Sequence, residues 1–103
     1  MAKQLTILDF LDKSSFRIAG LDYRIAWCKV IDDKTTLGYC DDNAKVIYLK
    51  EGEEELETFK TMLHELVHAI DHVYSLKLRH SQVRKLELAL AEFMIQNGLV
   101  KGL

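Results

Sequence analysis

His64-Glu65-Leu66-Val67-His68 carries the residue types and the spacing of a water-activating metal site. Two histidines four residues apart project from the same side of a helix about one turn from each other, so their imidazole nitrogens can converge on one ion. The glutamate between them then sits beside the ion's open position, where it can take a proton from water. Zinc suits such a site, because it accepts imidazole and carboxylate donors in a four-coordinate shell. In a random chain of this composition the pattern appears only about a few times in a thousand. Its surroundings decide what it means.

Those surroundings are helical. From Leu56 to about Tyr74 the large apolar residues Leu56, Phe59, Leu63, Leu66, Val67, Ile70, Val73 and Tyr74 recur at helical spacing and form one broad stripe. At about 100° per residue, His64 and His68 fall opposite that stripe, with Thr61 and His72 in the same sector and Glu65 at its margin. The helix can therefore pack one face on a core and present its histidines to a cleft. Glu53, Glu54 and Glu55 precede it, where negative charge suits the positive helix end, and Lys77 and Arg79 follow it. The acidic run reads as a solvated helix start.

Catalytic zinc usually has three protein ligands plus water, so a third donor is needed. His72, His80, Glu87 and Glu92 are the candidates downstream. A second helix is expected from Ser81 to about Asn97, with Val83, Leu86, Ala89, Leu90, Phe93 and Met94 on its buried side. On that wheel Glu87 lies about 60° from the centre of the stripe, whereas Glu92 points away from it. The eighteen residues between His68 and Glu87 suffice for the first helix to end and a second to fold back alongside. Glu87 is the preferred third ligand; its alternative is a surface carboxylate paired with Arg84 or Lys85. His72 extends the ligand face by a further turn, but three collinear histidines span about 12 Å, too far for one ion. It is left as a substrate or oxyanion contact, or as a partly exposed polar residue. His80 reads as a loop histidine and a fallback zinc ligand. Asp71 lies near the histidine face, either orienting a ligand imidazole or simply exposed.

With these residues in place, the chain resembles the gluzincin branch of zinc metallopeptidases, through H-E-L-V-H followed by eighteen residues and Glu. At this size, with Leu63-His64-Glu65-Leu66-Val67-His68-Ala69-Ile70-Asp71, it looks most like compact bacterial or phage proteins related to the ImmA/IrrE metallopeptidases and minimal gluzincins. Leu37 to Asp41 followed by Val46 to Leu49 also looks like the hairpin that precedes the zinc helix in such proteins. The resemblance covers roughly residues 16–97. It implies a zinc-dependent peptidase with His64, His68 and Glu87 as ligands and Glu65 as general base, acting on a peptide or protein substrate. The chain departs from the full enzymes in lacking a separate C-terminal subdomain that would form the far wall of a substrate cleft. The phage-type likeness also implies an alternative, a regulatory or interaction protein that holds the metal without efficient hydrolysis and acts on a repressor. In that reading the tail from Asn97 to Leu103 can lie across the cleft and keep the protein latent. A purely structural zinc site is the third reading, disfavoured because a closed site rarely needs a glutamate between its histidines.

Length and charge set the remaining bounds. A chain of 103 residues builds one domain with a modest core, 1–103. A net charge of −2 leaves no electrostatic footprint for nucleic acid. No run approaches the about 20 apolar residues that a membrane span needs. Met1-Ala2-Lys3-Gln4 does not begin a secretory signal, so a cytoplasmic protein is expected. Cys28 and Cys40 lack metal or redox spacing and read as small side chains of strands.

Ahead of the helices the pattern is strand-like. Strands are expected over Phe16 to Ala19 and Leu21 to Ile31, with a turn or bulge at Gly20. Tyr23, Ile25 and Trp27 should share one face. Thr36 to Cys40 and Lys45 to Lys50 form a hairpin closed by Asp41-Asp42-Asn43-Ala44. Lys45 to Lys50 is read as a free edge able to pair with an extended substrate, or as an edge covered by another segment. Leu5 to Leu11 fits either a short helix or a strand. The expected fold is α+β: a small, mostly antiparallel sheet, then a zinc-binding helix and a C-terminal helix. Tyr39, His72 and His80 are the candidates for contacting substrate or a developing oxyanion.

Overall fold

The computed structural model describes residues 5–32 and 35–101. The first four residues, and Gly102 and Leu103 of the tail, lie outside it.

Short α1 (Ile7–Leu11) settles the ambiguity at the start of the chain. Thr6 accepts the Asp9 N–H through its hydroxyl at 3.1 Å, and Asp9 accepts the Thr6 N–H at 3.0 Å, a reciprocal cap that favours a helix over a strand. Phe10 meets Phe59 edge to face at 5.2 Å and fixes α1 to the long helix that follows. β1 (Ser15–Ile18) and β2 (Leu21–Cys28) form a hairpin across Ala19 and Gly20, both with positive φ, as its tight turn requires.

β3 (Gly38–Asp41) and β4 (Val46–Lys50) form the second hairpin, and Asp41 accepts the Ala44 N–H at its turn. The strands join in the order β1-β2-β4-β3, with antiparallel pairs at both ends and a parallel β2–β4 pair between them. The sheet is thus mostly antiparallel, as expected. Its edges are not the expected ones. The strand of residues 46–50 is interior, hydrogen-bonded on both sides, so it is not available to a substrate; the edge strands are β1 and β3. Sequence pairs β4 with β3 through their turn, but only the parallel pairing with β2, formed across intervening chain, buries it. Val46, Ile47 and Leu49 are accordingly at most 4% exposed. On β2, Tyr23 and Ile25 are buried while Trp27 emerges beyond the core.

α2 (Glu55–Tyr74) packs against α1, the sheet and α3 (His80–Gln96). Because it is covered on more than one side, its buried residues extend past the expected stripe to Thr58, Met62, Glu65 and Ala69, and Ile70 and Tyr74 at the far end stay exposed. α3 departs further from expectation. Val83 and Ala91 are its buried residues, with Met94 and Ile95 packed at their side; Leu86, Ala89, Leu90 and Phe93, expected inside, face out. The physical reason is that α3 touches a single element, α2, and can cover only one of its two apolar sides.

As far as residue 101, the tail does not lie across the cleft, the position that the latent reading offers it. It runs back along the start of the chain, where Lys101 N–H donates to Leu5 O at 2.7 Å and Ile7 N–H to Lys101 O at 3.3 Å. Val100 is inserted into the core at 1% exposure. No helix of the described residues is long and apolar enough to cross a membrane.

Candidate metal centre

Three imidazoles meet where α2 and α3 face each other. His64 and His68, one turn apart, approach Nε2 to Nε2 at 3.1 Å. His80, the first residue of α3, brings its ring to 5.1 Å from that of His64 and 5.8 Å from that of His68, centre to centre. One ligand atom from each of the three lies within 4.8 Å of the other two, a spacing a single small ion can bridge. Burial, helped by the neighbouring His64 and His80, lowers the His68 pKa and keeps that imidazole in the neutral form that binds metals.

The short connection between the helices delivers His80. Ser75 ends α2 in the left-handed conformation and Lys77 adopts it again, so the chain reverses within a few residues. Asp71 accepts the Leu78 N–H through Oδ1 at 3.1 Å and ties the reversing segment to α2. Asp71 thus anchors the loop, and its charge also acts on the His68 imidazole. Gln82 then accepts the Arg79 N–H at 2.8 Å and caps the start of α3.

Glu87 sits in the packed face of α3, with its Oε1 2.8 Å from Nδ1 of His64. Nδ1 lies on the edge of the ring away from Nε2, the nitrogen that meets His68. A carboxylate at Nδ1 accepts its proton, leaves the Nε2 lone pair free and fixes the ring's orientation, the usual support for a metal-binding histidine. Both side chains are largely covered, at 16% and 19% exposure, so the pair is shielded from solvent screening. The structure thus gathers all four of His64, His68, His80 and Glu87, but gives the third imidazole to the cluster and the carboxylate to a ring's far side. Glu92 is exposed.

Glu65 lies beneath β3. A Cβ built on Gly38 would be 2.6 Å from Thr61 Cγ2 and 3.1 Å from Glu65 Oε2, so only glycine lets the strand lie this close over the carboxylate. Thr61 cannot easily yield, because its hydroxyl is bonded to Glu57 O at 2.9 Å. Burial, then the charges of Glu87 and Asp42, push the Glu65 carboxyl from its ordinary 4.5 up to about 7. A general base is most effective near its working pH, and this value suits that task.

The shift has a consequence for stability. A carboxyl that binds its proton more tightly when folded stabilises the fold fully below about 4.5, and this contribution is lost as pH rises through 7. Glu65→Gln removes the titration. In the metal-free protein, the stability of the variant relative to wild type should therefore grow by about 3 kcal/mol from about pH 4 to about pH 8. Urea unfolding at both pH values measures it, and a difference independent of pH would show that Glu65 titrates normally.

Sequence reasoning read Asp42 only as a turn residue. Its Oδ1 accepts the buried Tyr23 hydroxyl at 3.0 Å and lies 3.5 Å from Cys40 Sγ, and its Oδ2 lies 3.9 Å from His72 Nδ1. Burial, reinforced by Asp42, raises the Cys40 pKa and keeps the thiol protonated. Nothing in a one-dimensional pattern pairs Asp42 with Tyr23, nineteen residues away. Cys28 and Cys40 are both free and partly buried.

Two clefts of about 480 and 520 Å³ share Gly38, His64, Glu65 and His80 as lining residues. The first continues past Tyr39, Asp42 and His72, and the second past Lys60 and Arg84. His72 and Tyr39 are therefore at the cleft, both more than half exposed, with Tyr39 stacked on Tyr48. No family model, curated protein or solved structure matches this chain, so the reading of the site rests on its own geometry.

Proposed function

We propose that this protein is a zinc-dependent peptidase whose metal is held by His64, His68 and His80. The observation that carries the reading is the three-imidazole group with a buried glutamate on the same helix and cleft. The donor set fits zinc: three imidazole nitrogens within 4.8 Å of one another, one ring supported from behind by Glu87, and an open cleft on the solvent side. Zinc, when bound, supplies Lewis acidity that brings a water molecule's pKa toward neutrality.

The remaining work belongs to the chain's own side chains. Glu65 takes the proton from the attacking water and returns it to the departing amine. Glu87 holds His64 in one tautomer, and Asp71 holds the loop that delivers His80. His72 and Tyr39 stand where they can donate a hydrogen bond to the substrate carbonyl. β3, an edge strand bordering the cleft, supplies backbone groups with which an extended peptide can pair. The family reading we favour is a compact peptidase related to gluzincins through the His64-Glu65-Leu66-Val67-His68 helix, departing from them in that His80, and not Glu87, takes the third position.

The test is zinc titration of the metal-free chain at neutral pH, followed by hydrolysis of an unfolded protein. One zinc per chain and cleavage abolished by a chelator are expected. No zinc uptake overturns the proposal. Uptake without turnover rejects the peptidase and leaves the metal-holding regulatory protein.

A further inference from the structure

α3 touches only α2 among the elements of the fold, using the side that carries Val83, Glu87 and Ala91. A second side is apolar and open: Leu86, Leu90 and Phe93 are 40%, 37% and 55% exposed. None of the three lines either cleft. Single exposed leucines are ordinary, but several in register on one helix mark a contact surface. Leu86, Ala89 and Phe93 follow one another at spacings of three and four residues, the seam of a two-helix pair, with Leu90 on its flank. We propose that this stripe is a homodimer interface, in which α3 packs antiparallel on α3 of a second copy about a two-fold axis near residue 88.

Charge selects both the occupant and its direction. Lys85 and Glu92 are exposed, seven residues apart, and flank the seam on the same side. In an antiparallel pair each Lys85 meets Glu92 of the second copy, and the two-fold axis makes that contact twice. A parallel pair instead sets Lys85 beside Leu90, leaving both charges without an opposite. Antiparallel alignment also opposes the helix dipoles favourably. Arg84 and Glu87 project toward the cleft on another side of α3, so dimerisation leaves both clefts open and does not depend on what they catalyse.

Light scattering coupled to size exclusion, and sedimentation for affinities, test the proposal on the full chain. Wild type should have the mass of two chains. Phe93→Asp should have the mass of one, with an unchanged circular dichroism spectrum, since the side chain is exposed in the monomer. Lys85→Glu and Glu92→Lys should each weaken association about tenfold, because both symmetry-related contacts become repulsive. The double variant should regain wild-type affinity. A wild-type protein still monomeric at about 100 µM overturns the dimer and leaves the stripe to another partner. A double variant no tighter than the singles overturns the antiparallel alignment.

Discussion

Glu65→Gln should take up zinc as wild type does and hydrolyse peptides about 10²–10⁴-fold more slowly. The amide keeps the size and polarity of the carboxyl beneath Gly38, so the strand and Thr61 need not move. It loses the ability to accept a proton from water. Glu65 does not belong to the three-imidazole group, so the affinity for metal should survive. Removal of a buried charge also means that the variant should be no less stable near neutrality, which separates a catalytic loss from an unfolded protein. Zinc stoichiometry, turnover and urea unfolding on one preparation give the answer. Retained hydrolysis in this variant would remove Glu65 from the role of base.

His80→Ala and Glu87→Ala distinguish the two candidate third ligands. If His80 completes the site, its loss leaves two imidazoles, which hold catalytic zinc poorly, and affinity should fall roughly a thousandfold or more. Glu87→Ala removes the partner of His64 Nδ1 and frees the ring to rotate, an effect of about 10–100-fold. His80 is exposed at the start of α3, so its replacement should leave the fold intact. Glu87 is more covered, and Glu87→Gln offers a control that keeps the packing and an acceptor oxygen for the Nδ1–H. Competition against a chromophoric chelator reads all three affinities. The reverse order, with Glu87→Ala the more damaging, would return the carboxylate to the ion.

Much of the fold was readable in one dimension because it rests on local rules. The stripe from Leu56 to Tyr74 located α2 within a residue, and the turn residues after Asp41 located the second hairpin. The capping pair Thr6 and Asp9, which decides for a helix at Ile7–Leu11, is equally local, although the reading of Leu5 to Leu11 as helix or strand does not weigh it. The α3 face was misjudged because a wheel finds apolar sides without knowing how many neighbours will cover them. Leu86, Leu90 and Phe93 form as good a stripe as Val83 and Ala91, and only the single contact with α2 separates them.

The site divides in the same way. Sequence alone determined His64, Glu65 and His68 as one unit, because a helix converts four residues of separation into one turn of rise and fixes their relation before anything else folds. For the third ligand it favours Glu87, from its place beside the apolar stripe of α3, and leaves His80 as a loop histidine and fallback. Tertiary structure decided where each stands: the Asp71-anchored reversal carries His80 into the imidazole group, and the turned face of α3 carries Glu87 to Nδ1. It also placed Gly38 over Glu65 and Asp42 on Tyr23, and buried β4 by a parallel pairing with β2. The physical reason is that contacts between distant segments depend on loop geometry and on which faces are left to be covered, and neither has a period in the sequence.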